Sequence, residues 1–215
     1  PQTRGRRSCK RWESDMLKLS TMQTDVLCEM FNIGIGRAAA AMSEMLQDEV
    51  LLSVPELHFV TVSEVTDHLG KKSASMYCIR QPFSGMFSGN ALLIFPEDKS
   101  LEMVKVLIGD VPPGTELLQV QRDALMEVGN VVLNACLASL AEMTNTPFEC
   151  SMPSVDSGDT RKVLGTRVQN HVVMLIHIRF ELKNQDIEGF VVFVMNSTSY
   201  EDLLQAVDRF IAKLG

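Results

Sequence analysis

Apolar residues return at intervals of three and four over residues 20–47 and again over 115–143, the period of a helix packed on one side. Between and after these stretches lie short runs rich in Val, Ile and Phe, which read as strands at 51–62, 73–81 and 86–95, then at 147–155, 166–182 and 188–196. Pro55, Gly70, Gly85, Pro153, Gly165 and Gly189 break those runs. Shorter amphipathic helices are predicted at about 98–109 and 199–213. Ser20 with Gln23 three residues on marks the first long helix as a capping box. Thr115 and Glu116 mark the second, after the breaker Val111-Pro112-Pro113-Gly114.

The order helix, three strands, helix occurs twice because the chain repeats itself. Asp25, Leu27, Glu29 and Asn32 recur as Asp123, Leu125, Glu127 and Asn130, a spacing of 98, and GNALLIFPED at 89–98 aligns with GFVVFVMNST at 189–198. Strands in runs, joined by short loops, imply antiparallel pairing and an α+β class. A lone three-stranded unit with an open edge is marginal. The two copies, about 20–111 and 115–215, are therefore expected to join across a pseudo-two-fold into one domain, 16–215, with one continuous, mainly antiparallel sheet.

Within the long helices, Val26, Met30, Ile33, Met42, Met45 and Leu46 are expected to face the sheet, as are Leu125, Val128, Val131, Val132, Leu137 and Leu140. The opposite stripe of the first helix reads Glu29, Asn32, Gly36, Ala40 and Ser43. That of the second reads Glu127, Asn130, Asn134, Ala138 and Ala141. Both run acid, amide, then small residues.

Composition narrows the class without naming a function. At 215 residues, 46% hydrophobic and 22% charged, the chain is globular, and it buries enough surface to need no staple. Its continuous apolar runs are far shorter than the ~18 residues of a membrane span, so a soluble protein is expected. The net charge is −7; residues 1–15 carry +3, which leaves −10 on the rest. An acidic body does not suit a nucleic-acid backbone. The basic stretch 1–15 lacks an apolar segment and is read as a tag or a disordered arm. Five cysteines without a CxxC, three of them in apolar segments, point to reduced thiols and a cytoplasmic location. His58, His68, His171 and His177 show no zinc spacing, so no metal is assigned to this chain.

Two motifs remain. Gly34-Ile35-Gly36-Arg37-Ala38-Ala39 has the outline of a dinucleotide loop, but that loop needs a strand before the first glycine, and here a helix runs through it. The second motif is the repeated Glu-x-x-Asn. Asparagine is a poor mid-helix residue because its amide competes for backbone hydrogen bonds, so placing it twice, each time three after Glu, has no evident structural return. Surrounding positions have drifted (Phe31 against Gly129, Gly34 against Val132) while the pair has not. A carboxamide can hold a water by donating and accepting, the part played by a water-orienting amide in phosphoryl transfer. A glutamate one turn away can grip a cation on a partner. Together they would complete a hydrolytic site lying mostly in a second protein.

The stretches DVLCEMFNIGIGRAAAAMSEML (25–46) and DALMEVGNVVLNACLASLAEM (123–143) resemble the paired signature helices of the CheC/CheX/FliY family of chemotaxis phosphatases, nearest its CheC branch, which carries both motifs. The resemblance implies hydrolysis of the aspartyl phosphate of the response regulator CheY. It implies that Asn32 and Asn130 orient the attacking water, that Glu29 and Glu127 pair with the regulator's lysine, and that Mg2+ is held by the regulator and no cofactor by this chain. Some relatives also bind the receptor deamidase CheD. The alternative is a non-catalytic scaffold resembling the middle domain of the flagellar switch protein FliM. Of the two motifs, the second has Gly129 before its asparagine, expected to let a partner loop approach, and the first has Phe31, expected to obstruct it.

Overall fold

The first long helix, α1 (Thr21–Leu46), begins where the capping box predicts: the Ser20 hydroxyl accepts from the Gln23 N–H, and Gln23 Oε1 accepts from the Ser20 N–H at 2.9 Å. This is seen in a computed structural model that describes residues 19–109, 117–165, 171–182 and 185–214. The basic stretch 1–15, the breaker 111–114, Thr115 and Glu116, and residues 166–170 of a predicted strand lie outside the described residues. The second long helix is α4 (Leu117–Thr144). The residues just after the two long helices adopt the left-handed conformation at equivalent positions, Gln47 (φ 51°) and Asn145 (φ 52°), so the duplication extends to the way each long helix stops.

The remaining elements are β1 (Val50–Thr61), α2 (Val62–Gly70), β2 (Met76–Ser84), β3 (Gly89–Pro96) and α3 (Glu97–Ile108) in the first copy. The second has β4 (Glu149–Cys150), β5 (Ser154–Gly158), α5 (Thr160–Leu164), β6 (Val172–Leu182), β7 (Gln185–Met195) and α6 (Ser197–Leu214). Two of these were not predicted. Helix α2, in nine residues, and α5, in five, are too short to display a period. Their caps are nevertheless written in the chain: Thr61 and Glu64 form a second capping box, and the Asp159 carboxylate accepts from the Lys162 N–H at 2.8 Å. The predicted strand 147–155 divides into β4 and β5, both paired with β2.

All the strands join one antiparallel sheet in the order β1-β6-β7-β3-β2, with β4 and β5 sharing the far edge of β2. Reading outward from the central β3–β7 pair, each copy's first strand is hydrogen-bonded to the other copy's middle strand: β1 to β6, β5 to β2. The copies interlace, so neither has a sheet of its own. This is the α+β, pseudo-two-fold architecture expected from the repeat.

Alternation along the strands divides the core. Ala91, Leu93 and Phe95 face the layer formed by α1, α3, α4 and α6, whereas Leu92 and Ile94 face α2 and α5 on the other side. Residues 118–144 are long and apolar enough to cross a membrane, yet Leu125, Val128, Val132, Leu133, Leu137 and Leu140 of that segment are buried in the protein's own core.

The inward face of α1 requires correction. Of the residues expected to face the sheet, only Met42 is buried, and Ile33 is 49% exposed. The buried stripe is Leu27, Phe31, Gly34, Ile35, Ala38 and Met42, turned by about one residue, or ~100°. The helix has apolar residues on two faces, and the face holding Phe31, the largest apolar side chain in this part of α1, goes to the sheet. On α4 the expectation holds, except that Val131 is half-buried.

Candidate functional site

The two Glu-x-x-Asn pairs lie where the stripe analysis put them. Glu29 and Asn32 are exposed on α1; Glu127 is exposed and Asn130 half-exposed on α4. Behind each stripe the helix is braced from two sides. Towards the sheet, Phe31 is fully buried, its ring centroid 5.7 Å from that of Phe193 on β7. Towards the partner helix, Gly34 is required: a Cβ there would lie 2.4 Å from Ser139 Oγ and 2.9 Å from the Ala135 carbonyl oxygen. Gly34 of the Gly-x-Gly therefore serves close helix packing, in the middle of one unbroken helix. Above that contact the Arg37 guanidinium donates to the Glu142 carboxylate at 2.5 Å, tying α1 to α4 at the surface.

Phe31 does not obstruct the first site, and Gly129 does not open the second. Phe31 points away from Asn32 into the core, as one step of ~100° along a helix requires. Gly129 is buried against β2, where a Cβ would meet Ile79 Cγ2 at 2.4 Å. One turn is filled by a ring and the other closed by an absent side chain. Both leave the acid and the amide on the outside.

The sites differ in what surrounds the amide. On α4, Asn134 Nδ2 donates to Asn130 Oδ1 at 2.7 Å, and Gln81 Nε2 of β2 donates to Asn134 Oδ1 at 3.0 Å. Among the described residues no side-chain hydrogen bond reaches the Asn32 carboxamide, and Gly36, the counterpart of Asn134, has open space where a Cβ would stand. The first site instead borders an apolar groove of about 370 Å³, where Val26, Met30 and Ile33 meet Met143, Phe210 and Leu214, with Glu29 on its rim. Gln81 was not singled out from the sequence. Its signal was a lone amide between Ile79 and Phe83 on the inward face of β2, which becomes legible only once β2 is placed beneath α4.

Other chemistry-bearing groups lie away from these stripes. Cys78 and Cys136 are buried and their thiols are pushed up to about 12 by desolvation, which leaves them unreactive at neutral pH. His177 stacks on Phe190 at 5.1 Å between centroids and stands 3.9 Å from the Glu188 carboxylate, itself paired with Lys72 at 2.6 Å. Among the described residues no group of three or more His, Cys, Asp or Glu is gathered that could hold a metal ion.

The interlaced two-fold sheet flanked by two long helices is a fold that this chain shares with several solved structures. Among solved structures the chain is similar to FliY of Thermotoga maritima (TM-score 0.72, 16% identity, 89% of this chain and 98% of that one). It is similar to FliM of H. pylori, in a complex with SpeE (TM-score 0.67, 13% identity, 89% and 97%). It is also similar to CheX of Borrelia burgdorferi, in a complex with CheY, BeF3 and Mg2+ (TM-score 0.51, 14% identity, 78% and 97%). In sequence it is 25% identical over 195 residues to the CheY-P phosphatase CheC of Bacillus subtilis, covering 86% of this chain and 93% of that protein. It is 23% identical over 192 residues to the flagellar motor switch phosphatase FliY of the same organism, covering 88% of this chain but only 50% of FliY. The CheC-like family model matches residues 22–58, the span of α1 and most of β1.

Proposed function

We propose that this protein is a phosphatase acting on the aspartyl phosphate of a CheY-class response regulator in the cytoplasm. The observation that carries the reading is the outward acid–amide pair present on both long helices, held outside by two different packings. Asn32 and Asn130 each orient the attacking water, the carboxamide oxygen accepting a hydrogen bond from it so that an oxygen lone pair is directed at phosphorus. Glu29 and Glu127 each pair with the regulator's active-site lysine, which docks the amide beside the phosphoryl group. The regulator supplies the Mg2+, so this chain contributes position rather than charge neutralisation. Each helix carries a complete pair, and each takes one regulator.

The relatives named CheY-P phosphatase and motor switch phosphatase support this class of activity. The likeness to FliM favours a second reading, a scaffold without catalysis, because it shows that this fold also occurs in a flagellar switch protein. One experiment separates them. A CheY-class regulator charged with acetyl phosphate is mixed with the protein and phosphate release is followed. Acceleration by the wild-type protein, abolished in the folded Asn32→Ala/Asn130→Ala double variant, is the expected result. Binding of the regulator without acceleration would establish the scaffold reading instead.

A further inference from the structure

The two sites share their outer residues and differ behind them. The carboxamide of Gln81, which is only 3% exposed, reaches up from β2 to Asn134, and Asn134 in turn donates to Asn130. Register identifies the counterparts. Gln81 pairs with Ala91 on β3, Val191 is the equivalent of Ala91 in the repeat, and Val191 pairs with Ile176. In the first copy the two links are therefore Ile176, buried in the same core layer, and Gly36.

Gln81 has no packing reason to be there. Its Oε1 is buried with no hydrogen-bond partner among the described residues, an arrangement that destabilises a core. Ile176 shows the equivalent place filled without that penalty. A residue that costs stability and ends a chain of amides leading to Asn130 is explained by what it does to Asn130.

We infer that Asn134 is a positioning residue of the second site: anchored from beneath by Gln81, it holds the Asn130 carboxamide in its working orientation, and the first site lacks this support. The inference rests on the reading of Asn130 as the water-orienting group. A carboxamide oxygen has two acceptor positions. Asn134 occupies one, which restrains rotation of the Asn130 side chain, and the other stays available to the water. Rotational freedom that Asn32 must lose on meeting its partner is already lost at Asn130 on folding, so the second site starts closer to the reactive geometry.

The test uses the full chain with Asn32→Ala, so that only the second site turns over. Adding Asn134→Ala should lower kcat for phosphate release about five- to tenfold, the scale of one lost hydrogen bond, with KM and melting temperature little changed. Adding Gln81→Leu instead should lower kcat about two- to fivefold while melting temperature holds or rises, because the unpaired acceptor is removed. A merely structural role would move activity and stability together. Unchanged kcat in both variants, or a loss matched by a rise in KM or a fall in melting temperature, overturns the inference. NMR of the Asn130 side-chain amide provides a readout that needs no turnover. Its order parameter should fall in Asn134→Ala, and an unchanged value overturns the positioning role. If the parent protein releases no phosphate at all, the proposed function fails and this measurement alone decides the inference.

Discussion

The turn of α1 that carries Asn32 and the turn of α4 that carries Asn130 show the same face to solvent and opposite solutions behind it. Under Asn32 a phenyl ring fills the space down to Phe193; under Asn130 the helix lies so close to β2 that Ile79 leaves no room for a Cβ. The surface motif and the inner packing have been varied independently. Helical geometry makes this possible, since neighbouring residues point ~100° apart and one can be rebuilt while the next keeps its direction. The contrast also moves the origin of any inequality between the sites. Neither Phe31 nor Gly129 touches the surface, whereas Asn134 and Gly36 stand one turn beyond the amides, on the exposed stripe.

The largest effect that sharpens this comparison is on activity. Asn130→Ala should abolish turnover at its own site, a loss on the order of 10²-fold there, and leave only the slower first site working. Asn32→Ala should leave most of the wild-type rate. Steady-state rates of the two single variants give the ranking directly, and equal losses would show that the amide chain behind Asn130 confers no advantage.

Stability comes next. Phe31→Ala should cost about 3–5 kcal/mol through the cavity left against Phe193, lowering the melting temperature by roughly 10 °C. Thermal unfolding with a change of only 1–2 °C would mean that the turn collapses onto the sheet as α4 does.

The glycines break the comparison in the opposite direction. Gly129→Ala should destabilise by about 1–2 kcal/mol, the cost of overpacking against Ile79 less the gain in helix propensity. Gly36→Ala, where nothing lies within 4 Å of the added Cβ, should stabilise by up to about 1 kcal/mol. Denaturant midpoints of the two variants shifting in the same direction would refute the packing assigned to Gly129.

The smallest effect concerns the other side of the sheet, where α2 carries His68 and α5 carries no histidine. Burial lowers the pKa of both His68 and His177; Lys72 acts with it at each, while Glu188 opposes it at His177. The folded state therefore favours neutral rings. Their contribution to stability is fully present above the unfolded pKa of about 6.5 and is lost as pH falls below it towards the folded values. Melting temperature should decline slightly between pH 7 and pH 5, and His177→Asn should flatten part of that decline. A rise in stability on acidification would contradict this sign.

The local chemistry of the chain was legible without a structure. The capping box at Ser20, the duplicated acid–amide pair and its outward direction all follow from spacings of three and four residues, which a helix converts into a face. The rule against a nucleotide loop at Gly34 was legible for the same reason. The residue-by-residue inward face of α1 was not, because Val26, Met30 and Ile33 are as apolar as Leu27, Phe31 and Ile35, and periodicity cannot say which of two apolar stripes meets the sheet. Helix α2 was missed although Thr61 and Glu64 announce its start.

What the sequence determined by itself was carried by neighbours along one helix or one strand: the type of the longer elements, the repeat, and the outward direction of Glu and Asn at each site. Tertiary structure decided everything that depends on residues far apart in the chain. It laid the first strand of each copy on the middle strand of the other. It set Gly129 on Ile79, fifty residues away. It brought Gln81 beneath Asn134, so that two sites with the same acid–amide pair differ in support. No spacing rule encodes these contacts, because each forms only when separate elements are brought together by burial of the faces they share.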